Sequence, residues 1–361
     1  MMKRREFLAA AAVFATSPGW AAAGAPDFIT AANTGDRSSS LVGLTQGGDI
    51  RFQIAIPSRG HAAAVHPSRP EVVGFARRPG RFAVVLDCET GAEITRMHSP
   101  EGRHFYGHGA FSADGTTLFT TENDYDAPAG VLGVWDVTAG YRRIGEIPSG
   151  GIGPHEVLRR SDGGFVVANG GIQTHPDLAR SKLNLPTMRP NLTYLTAEGT
   201  VEDQVEMEGA MHQNSIRHMD ISPNGTVVIA LQWQGNPMTR VPMVARHRRG
   251  EALELISHPD ELALKNYAGS IAIDGEDDSF VVTGPKGGAV LYFDRHAAPD
   301  GSNHYGTASG AAQLRTGGVM ITCDGGMMHR RQRQERFIPV SGADADAGTK
   351  MLSWDNHLVA V

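Results

Sequence analysis

The chain has 361 residues, which is enough to bury the core of one large repeat domain or of two ordinary domains. Its formal net charge is −6, and a mildly acidic protein is a poor candidate for binding nucleic acid or an anionic membrane surface. Short β-rich runs punctuated by Gly, Asp and Asn dominate, and no segment has a long apolar period of 3.6 residues. These features favour an all-β protein.

The N-terminus has the features of a targeting segment. Lys3-Arg4-Arg5-Glu6-Phe7-Leu8 is a twin-arginine pattern, and a short apolar run and several small residues follow it. The apolar run is too short to span a bilayer. We therefore predict a twin-arginine signal peptide over residues 1–25, a periplasmic location, and no stable membrane insertion once the signal is removed. Residues 26–361 are predicted to form a single domain.

A repeat is clearest over residues 104–150. Short apolar runs, at 109–112, 116–121, 130–136 and 142–147, are separated by turns such as Ala113-Asp114-Gly115. Four antiparallel strands per unit are typical of a β-propeller blade. The same pattern predicts six consecutive blades, at residues 60–103, 104–150, 152–208, 212–258, 266–300 and 304–341.

The two ends of the chain complete a seventh blade. Residues 354–361 read as an inner strand with nothing after it, and residues 28–57 read as three strands with no inner strand before them. We predict a seven-bladed β-propeller whose last blade joins the C-terminal strand to the N-terminal strands; an eight-bladed ring or a pair of β-sandwiches are the alternatives. Cys88 and Cys323 then lie in blades that are not neighbours, which predicts two buried free thiols.

Five histidines occupy the same place in the repeat. Blades five and six have Ser270 and Ala311 there instead, and the histidines, near the starts of the predicted inner strands, are His61, His108, His155, His218 and His357. Inner strands line the channel of a propeller, so their starts meet at one mouth. Neutral imidazoles suit iron and copper ions, which makes this mouth a candidate metal site. The alternative is that each imidazole braces the ring by bonding a neighbouring blade's backbone.

Loops between second and third strands reach the same face. The loop at 121–126 contains Glu122 and Asp124, and the long loop at 169–190 contains His175. Long loops on one face of a rigid scaffold often carry function. We therefore consider these three residues as additional metal ligands or as supports for the ligands. A solvated turn is the alternative for the acidic loop.

Several of these segments together resemble a family of exported bacterial propellers that is classed as a domain of unknown function. The resemblance rests on the twin-arginine start and on the words HFYGHG (104–109), TENDY (121–125), NGGI…THPD…KLNL (within 169–185) and QNSIRH (213–218). It covers essentially the whole chain. Members of that family are often encoded beside imelysin-like iron-uptake proteins. The resemblance therefore implies imelysin-like partners and a role in iron acquisition. The family offers no established catalytic residues to assign.

Three functions are compatible with the sequence. The first is a periplasmic binding protein that holds an iron or copper ion, or a metal-bearing ligand, at the histidine-rich mouth as an accessory of metal acquisition. The second is a metal-dependent redox enzyme or hydrolase that uses the same site. The third is an interaction scaffold without a site, for which the arginine-rich segment 330–336 offers a surface.

Overall fold

A computed structural model describes residues 26–34, 38–178, 181–207, 209–340 and 352–361. They form seven four-stranded antiparallel sheets. The innermost strand of each sheet contacts the innermost strand of the next, and the seventh contacts the first, so the sheets close into a ring. The predicted seven-bladed β-propeller is confirmed. The predicted signal peptide lies outside the described residues.

The first part of the ring begins with three strands of the seventh blade and continues through blades one to three. These strands are β1 (Phe28–Asn33), β2 (Ser39–Leu44), β3 (Ile50–Ile56), β4 (Gly60–Val65), β5 (Glu71–Ala76), β6 (Phe82–Asp87), β7 (Glu93–His98), β8 (Arg103–Phe111), β9 (Thr117–Asp124), β10 (Ala129–Asp136), β11 (Arg142–Pro148), β12 (Pro154–Arg159), β13 (Phe165–Asn169), β14 (Asn191–Leu195) and β15 (Val201–Glu206).

Blades four to six and the closing strand follow. They contain β16 (Asn214–Ile221), β17 (Val227–Trp233), β18 (Val244–His247), β19 (Glu254–Ile256), β20 (Ser270–Ile273), β21 (Phe280–Gly284), β22 (Ala289–Phe293), β23 (Pro299–His304), β24 (Ala311–Gln313), β25 (Val319–Cys323), β26 (Gly326–Arg331), β27 (Gln334–Pro339) and β28 (Ser353–Ala360). In the ranges that the structure describes, the helices are single 3-10 turns at Pro176–Leu178, Leu185–Thr187, Gly209–Met211 and Glu261–Leu264. No helix in the described ranges is long or apolar enough to cross a membrane.

The last strand closes the ring. Strand β28 pairs antiparallel with β1, with Phe28 opposite Ala360 and Asn33 opposite Ser353. The Thr30 hydroxyl donates a hydrogen bond of 2.6 Å to the carbonyl oxygen of His357. The two ends of the chain therefore share one sheet, as predicted, and no open sheet edge separates the first blade from the last.

The hydrophobic core lies between the faces of adjacent blades. Phe75 of blade one and Phe105 of blade two, for example, are almost inaccessible and pack in one cluster. Outer strands such as β11 alternate between exposed and half-buried residues, because only one of their faces meets a neighbouring blade. Cys88 and Cys323 are buried free thiols, as predicted. The core thus holds the blades rigidly around the central channel.

Candidate metal centre at the hub

Five imidazole rings meet at the hub of the propeller. The distance between ring centroids is 4.4 Å for His61 and His357, 4.5 Å for His108 and His357, and 4.7 Å for His155 and His218. His61 and His218 lie farther apart, with their ring centroids separated by 6.4 Å. All except the half-buried His155 are buried. The structure therefore brings together all five histidines that the repeat pattern selected.

Each of the five strands that carries a hub histidine is irregular at that point. The pairing with its neighbouring strand shifts register between Gly60 and Ala63, Phe105 and Gly109, Pro154 and Glu156, Ile216 and His218, and Thr30 and Ala32 opposite β28. The pairings of β20 with β21 and of β24 with β25, where the inner strand lacks the histidine, contain no such shift. A bulge redirects side chains, and bulges are common beside functional sites. Here they turn the rings toward the channel.

Gly107 shows how tightly the rings are fitted. It has a φ of +105°, a conformation that side-chain-bearing residues rarely adopt. A Cβ atom at this position would lie 2.5 Å from Cδ2 of His61. Glycine is therefore needed immediately before His108, both for the backbone turn and for the approach of the neighbouring blade's imidazole.

Two carboxylates contact the hub imidazoles. Oε1 of Glu156 lies 3.2 Å from Nδ1 of His108, and its Oε2 lies 3.9 Å from Nδ1 of His218. Oδ1 of Asp355 lies 2.8 Å from Nδ1 of His61, while its Oδ2 accepts hydrogen bonds from Arg59 and Arg77. Hydrogen-bonded carboxylates of this kind fix the orientation of histidines that bind metals.

Three overlapping groups of side chains bring potential ligand atoms within 4.8 Å of one another in the described residues. They are His108, Glu156, His218 and His357; His61, His108 and His155; and His61, Asp355 and His357. Opposite ligands of a metal ion with bonds of about 2 Å are about 4 Å apart, so a small inward movement would close any of these groups on an ion. Three imidazoles and a carboxylate form a donor set that suits first-row transition metals.

The burial of the rings keeps their nitrogens available as ligands. Burial lowers the pKa of His61 to about 4, although Asp355 opposes this shift. Burial is also the main cause that lowers the pKa of His155, His218 and His357 well below the ordinary value. The second cause is the charge of Arg217 for His155 and a neighbouring imidazole for His218 and His357. These rings are therefore neutral at pH 7, the form that coordinates a metal ion.

Three imidazole nitrogens at the hub are buried without a hydrogen-bond partner among the described residues. They are Nε2 of His108, Nδ1 of His218 and Nε2 of His357. Native proteins leave few buried polar atoms unsatisfied, and each exception calls for an explanation. All three belong to the group that includes Glu156. These residues fit a metal ion, because an ion would satisfy the nitrogens at once.

The structure does not bring the three loop candidates to the hub. The Glu122 carboxylate is buried inside blade two, where it bonds Arg143 and Thr120. Asp124 forms a salt bridge of 2.9 Å with Arg103. His175 is partly exposed, and its ring lies against Tyr125. None of the three belongs to a metal-competent group within the described ranges. A ligand role for any of them has no geometric support.

Sequence reasoning missed the two hub carboxylates. Glu156 directly follows His155, and Asp355 lies two residues before His357. In a regular strand, neighbouring side chains point to opposite faces, so Glu156 would be expected to point away from the channel. The bulge in β12 removes that alternation. The only available signal was the proximity of each carboxylate to a selected histidine.

Two cavities flank the rings. The lower one, of about 250 Å³, is bounded by His108, His218, His357 and Glu156, together with small residues of the inner strands. The upper one, also of about 250 Å³, has His61 and His155 in its wall and opens among the loops of the opposite face. The hub therefore has a cavity on each side.

Comparison with solved structures shows the fold. Hydrazine synthase from Kuenenia stuttgartiensis superposes with a TM-score of 0.60 at 14% sequence identity, over 92% of this chain and 99% of that chain. A streptogramin B lyase superposes with a TM-score of 0.57 at 10% identity, over 83% of this chain and 91% of that chain. Identities this low carry no functional argument. No curated protein matches the chain.

A family model matches most of the chain, including all seven inner strands and the five hub histidines. The match runs over residues 54–361. The protein therefore belongs to the DUF1513 family, which is described as a family of proteins of unknown function.

Proposed function

We propose that this propeller is an exported binding protein that holds an iron or copper ion at its hub, as an accessory of metal acquisition. His108, His218, His357 and Glu156 are the proposed ligands, and His61 and His155 complete the upper side of the centre. The observation that carries the proposal is the set of three buried, unpartnered imidazole nitrogens beside a carboxylate. An oxygen and nitrogen donor set without thiolates suits iron and copper.

The hub histidines differ from histidines that brace the blades. His66 in blade one shows the bracing arrangement, because its Nε2 lies 3.1 Å from the carbonyl oxygen of Gly115 in blade two. Among the described residues, the rings of the five hub histidines make no hydrogen bond to a backbone atom. Their polar contacts are to Asp355, Glu156 and Arg217 instead. This contrast favours coordination over bracing.

Two features of the sequence support the proposed export and partnership. The twin-arginine pattern at Lys3-Arg4-Arg5 supports a periplasmic location, and this pathway carries folded proteins, often with their cofactor bound. The resemblance to propellers encoded beside imelysin-like proteins supports a partner that handles iron. Secretion of a fusion of residues 1–25 to a reporter tests the export step, and loss of secretion in the Arg4→Lys/Arg5→Lys variant is expected.

Metal loading tests the proposal. Protein purified without a histidine tag, stripped with a chelator and dialysed against Fe(II), Cu(II) or Zn(II) should retain about one ion per chain, measured by plasma mass spectrometry. The His218→Ala/His357→Ala variant should lose the ion, whereas His296→Ala, which removes an exposed histidine of blade five, should retain it. Retention below about a tenth of an equivalent for all three metals would refute the proposal.

A catalytic role is the second candidate, and the two cavities that reach the hub favour it, because a substrate could approach the ion. A coloured, redox-active centre would show visible absorbance that changes on reduction with ascorbate. The scaffold alternative has less support. Three of the four arginines of segment 330–336 form salt bridges with the protein's own acids: Arg330 with Glu335, Arg331 with Glu276 and Arg333 with Asp300.

A further inference from the structure

The upper cavity is strongly basic. Among the described residues its wall contains no carboxylate, and its cationic side chains are Arg77, Arg78, Lys182, Arg217 and Lys286. The protein as a whole carries a net charge of −6, whereas five cationic side chains surround this cavity of about 250 Å³. The local charge therefore has the opposite sign to the net charge of the protein. Such a concentration of one sign of charge focuses the field on whatever enters.

These cations come from four different blades. Arg77 and Arg78 follow β5 of blade one, Lys182 lies in the long loop of blade three, Arg217 lies on β16 of blade four, and Lys286 precedes β22 of blade five. The loops of a propeller that connect second to third strands, and one blade to the next, lie on one face. The convergence therefore depends on the fold and not on one basic stretch of sequence.

Most of these charges lack a counter-ion. Arg77 bonds Asp355, but no carboxylate in the described ranges forms a salt bridge with any of the other four. Arg217 is the clearest case, since it is nine-tenths buried and its Nε has no hydrogen-bond partner in that part of the chain. A buried, unpaired guanidinium is costly unless an anion joins it.

The rest of the wall suits a small polar ligand. Aromatic rings of Tyr106, Trp233 and Tyr267 alternate with the amides of Gln234 and Asn266. The Lys182 ammonium bonds the side chain of Gln234, which links the long loop of blade three to the neighbouring blade. The volume lies below the usual range for pockets that take drug-sized molecules, so the ligand must be small.

We propose that the upper cavity binds a small oxyanion with two or more negative charges, of the polycarboxylate or phosphate type. Guanidinium groups pair with both through parallel hydrogen bonds, and lysines add point charges. Because His61 and His155 also line the cavity, the bound anion lies directly beside the hub. The inference does not depend on the proposed metal, since the cations surround the cavity whether or not the hub holds an ion.

Titration calorimetry on metal-free protein tests this proposal with two probes, citrate and inorganic pyrophosphate, and with acetate as a singly charged control. Binding of citrate alone supports a polycarboxylate ligand, binding of pyrophosphate alone a phosphate ligand, and binding of both the shared oxyanion chemistry. The affinity should fall with added salt, because the interaction is between charges. If neither probe binds, or if acetate binds as tightly as both, the proposal is overturned.

Substitutions locate the site. Arg78→Gln and, separately, Lys286→Gln should each weaken binding of the active probe about tenfold or more, as expected for the loss of a charge-assisted hydrogen bond. The matched control is Arg51→Gln, which removes an exposed arginine from outer strand β3 and should leave the affinity unchanged. Equal affinities for all three variants would place the anion elsewhere and overturn the proposal. Metal retention by Arg78→Gln, measured in parallel, keeps this outcome separate from the metal proposal.

Discussion

Asp355 offers a direct test of how the hub is held together. Its carboxylate is fully buried and touches His61, Arg59 and Arg77 at 2.8–3.0 Å. Burial would raise the pKa of this carboxyl, but His61 and then the two arginines lower it well below the usual range. The carboxylate is therefore charged in the folded protein, and Asp355→Asn would remove that charge without changing the size of the side chain.

The expected loss can be estimated from the surroundings. Breaking a buried ion pair typically costs 3–5 kcal/mol, and we expect about 3 kcal/mol for Asp355→Asn, near the lower limit. Two features reduce the cost: the Arg77 side chain is 19% exposed, and Arg59 is 43% exposed. For a chain of this size, such a loss corresponds to a fall in Tm of about 4 °C.

The assay is urea unfolding of the metal-free protein, followed by circular dichroism. The matched control is Glu93→Gln, which makes the same chemical change in the exposed pair between Glu93 and Arg96 and should cost less than about 1 kcal/mol. If Asp355→Asn is no more destabilising than Glu93→Gln, the buried carboxylate does not hold the closing strand against blade one, and the reasoning fails.

Two further predictions concern acidity and metal affinity. Because the pKa of His61 is about 4 in the folded protein and near 6.5 when unfolded, the unfolded chain binds the extra proton between these values. The free energy of unfolding of metal-free protein should therefore fall as the pH drops through this window, by about 2 kcal/mol between pH 7 and pH 5 for His61 alone; unfolding midpoints at pH 7, 6 and 5 measure it. Glu156→Gln should weaken metal affinity by about 10- to 100-fold in competition with a chelator, whereas Glu93→Gln should not.

For each of these two predictions, one result would contradict the reasoning. An unfolding midpoint that stays constant from pH 7 to pH 5 would mean that the hub imidazoles accept protons in the folded state. Equal metal affinities for Glu156→Gln and Glu93→Gln would mean that Glu156 neither binds the ion nor orients His108.

The fold could be predicted because its signals are local and repeated. Alternating apolar runs and turns such as Ala113-Asp114-Gly115 recur in each blade, and the unpaired strands at the two ends can form a blade only with each other. The same repetition selected the five histidines. Residues at equivalent positions of different blades lie at the same end of the central channel, so histidines at that position in five blades are brought close together.

The details of the site could not be predicted, because they depend on departures from the repeat. The bulge at β12 turns Glu156 and His155 toward the same hub, whereas a regular strand would separate them. Glu122 illustrates the converse: the acidic loop at 121–126 suggested a ligand, but Arg143 and Thr120 hold the Glu122 carboxylate inside the blade. The basic cavity depends on side chains from four blades, and no single segment of sequence reveals it.

The most direct test of the hub is to locate a bound ion. Crystals of protein reconstituted with copper or iron should give an anomalous scattering peak about 2.0–2.2 Å from imidazole nitrogens of His108, His218 and His357. The neighbouring Glu156 carboxylate should supply a ligand or a hydrogen bond to one of them. A fully loaded crystal with peaks only on the protein surface would contradict a metal centre at the hub.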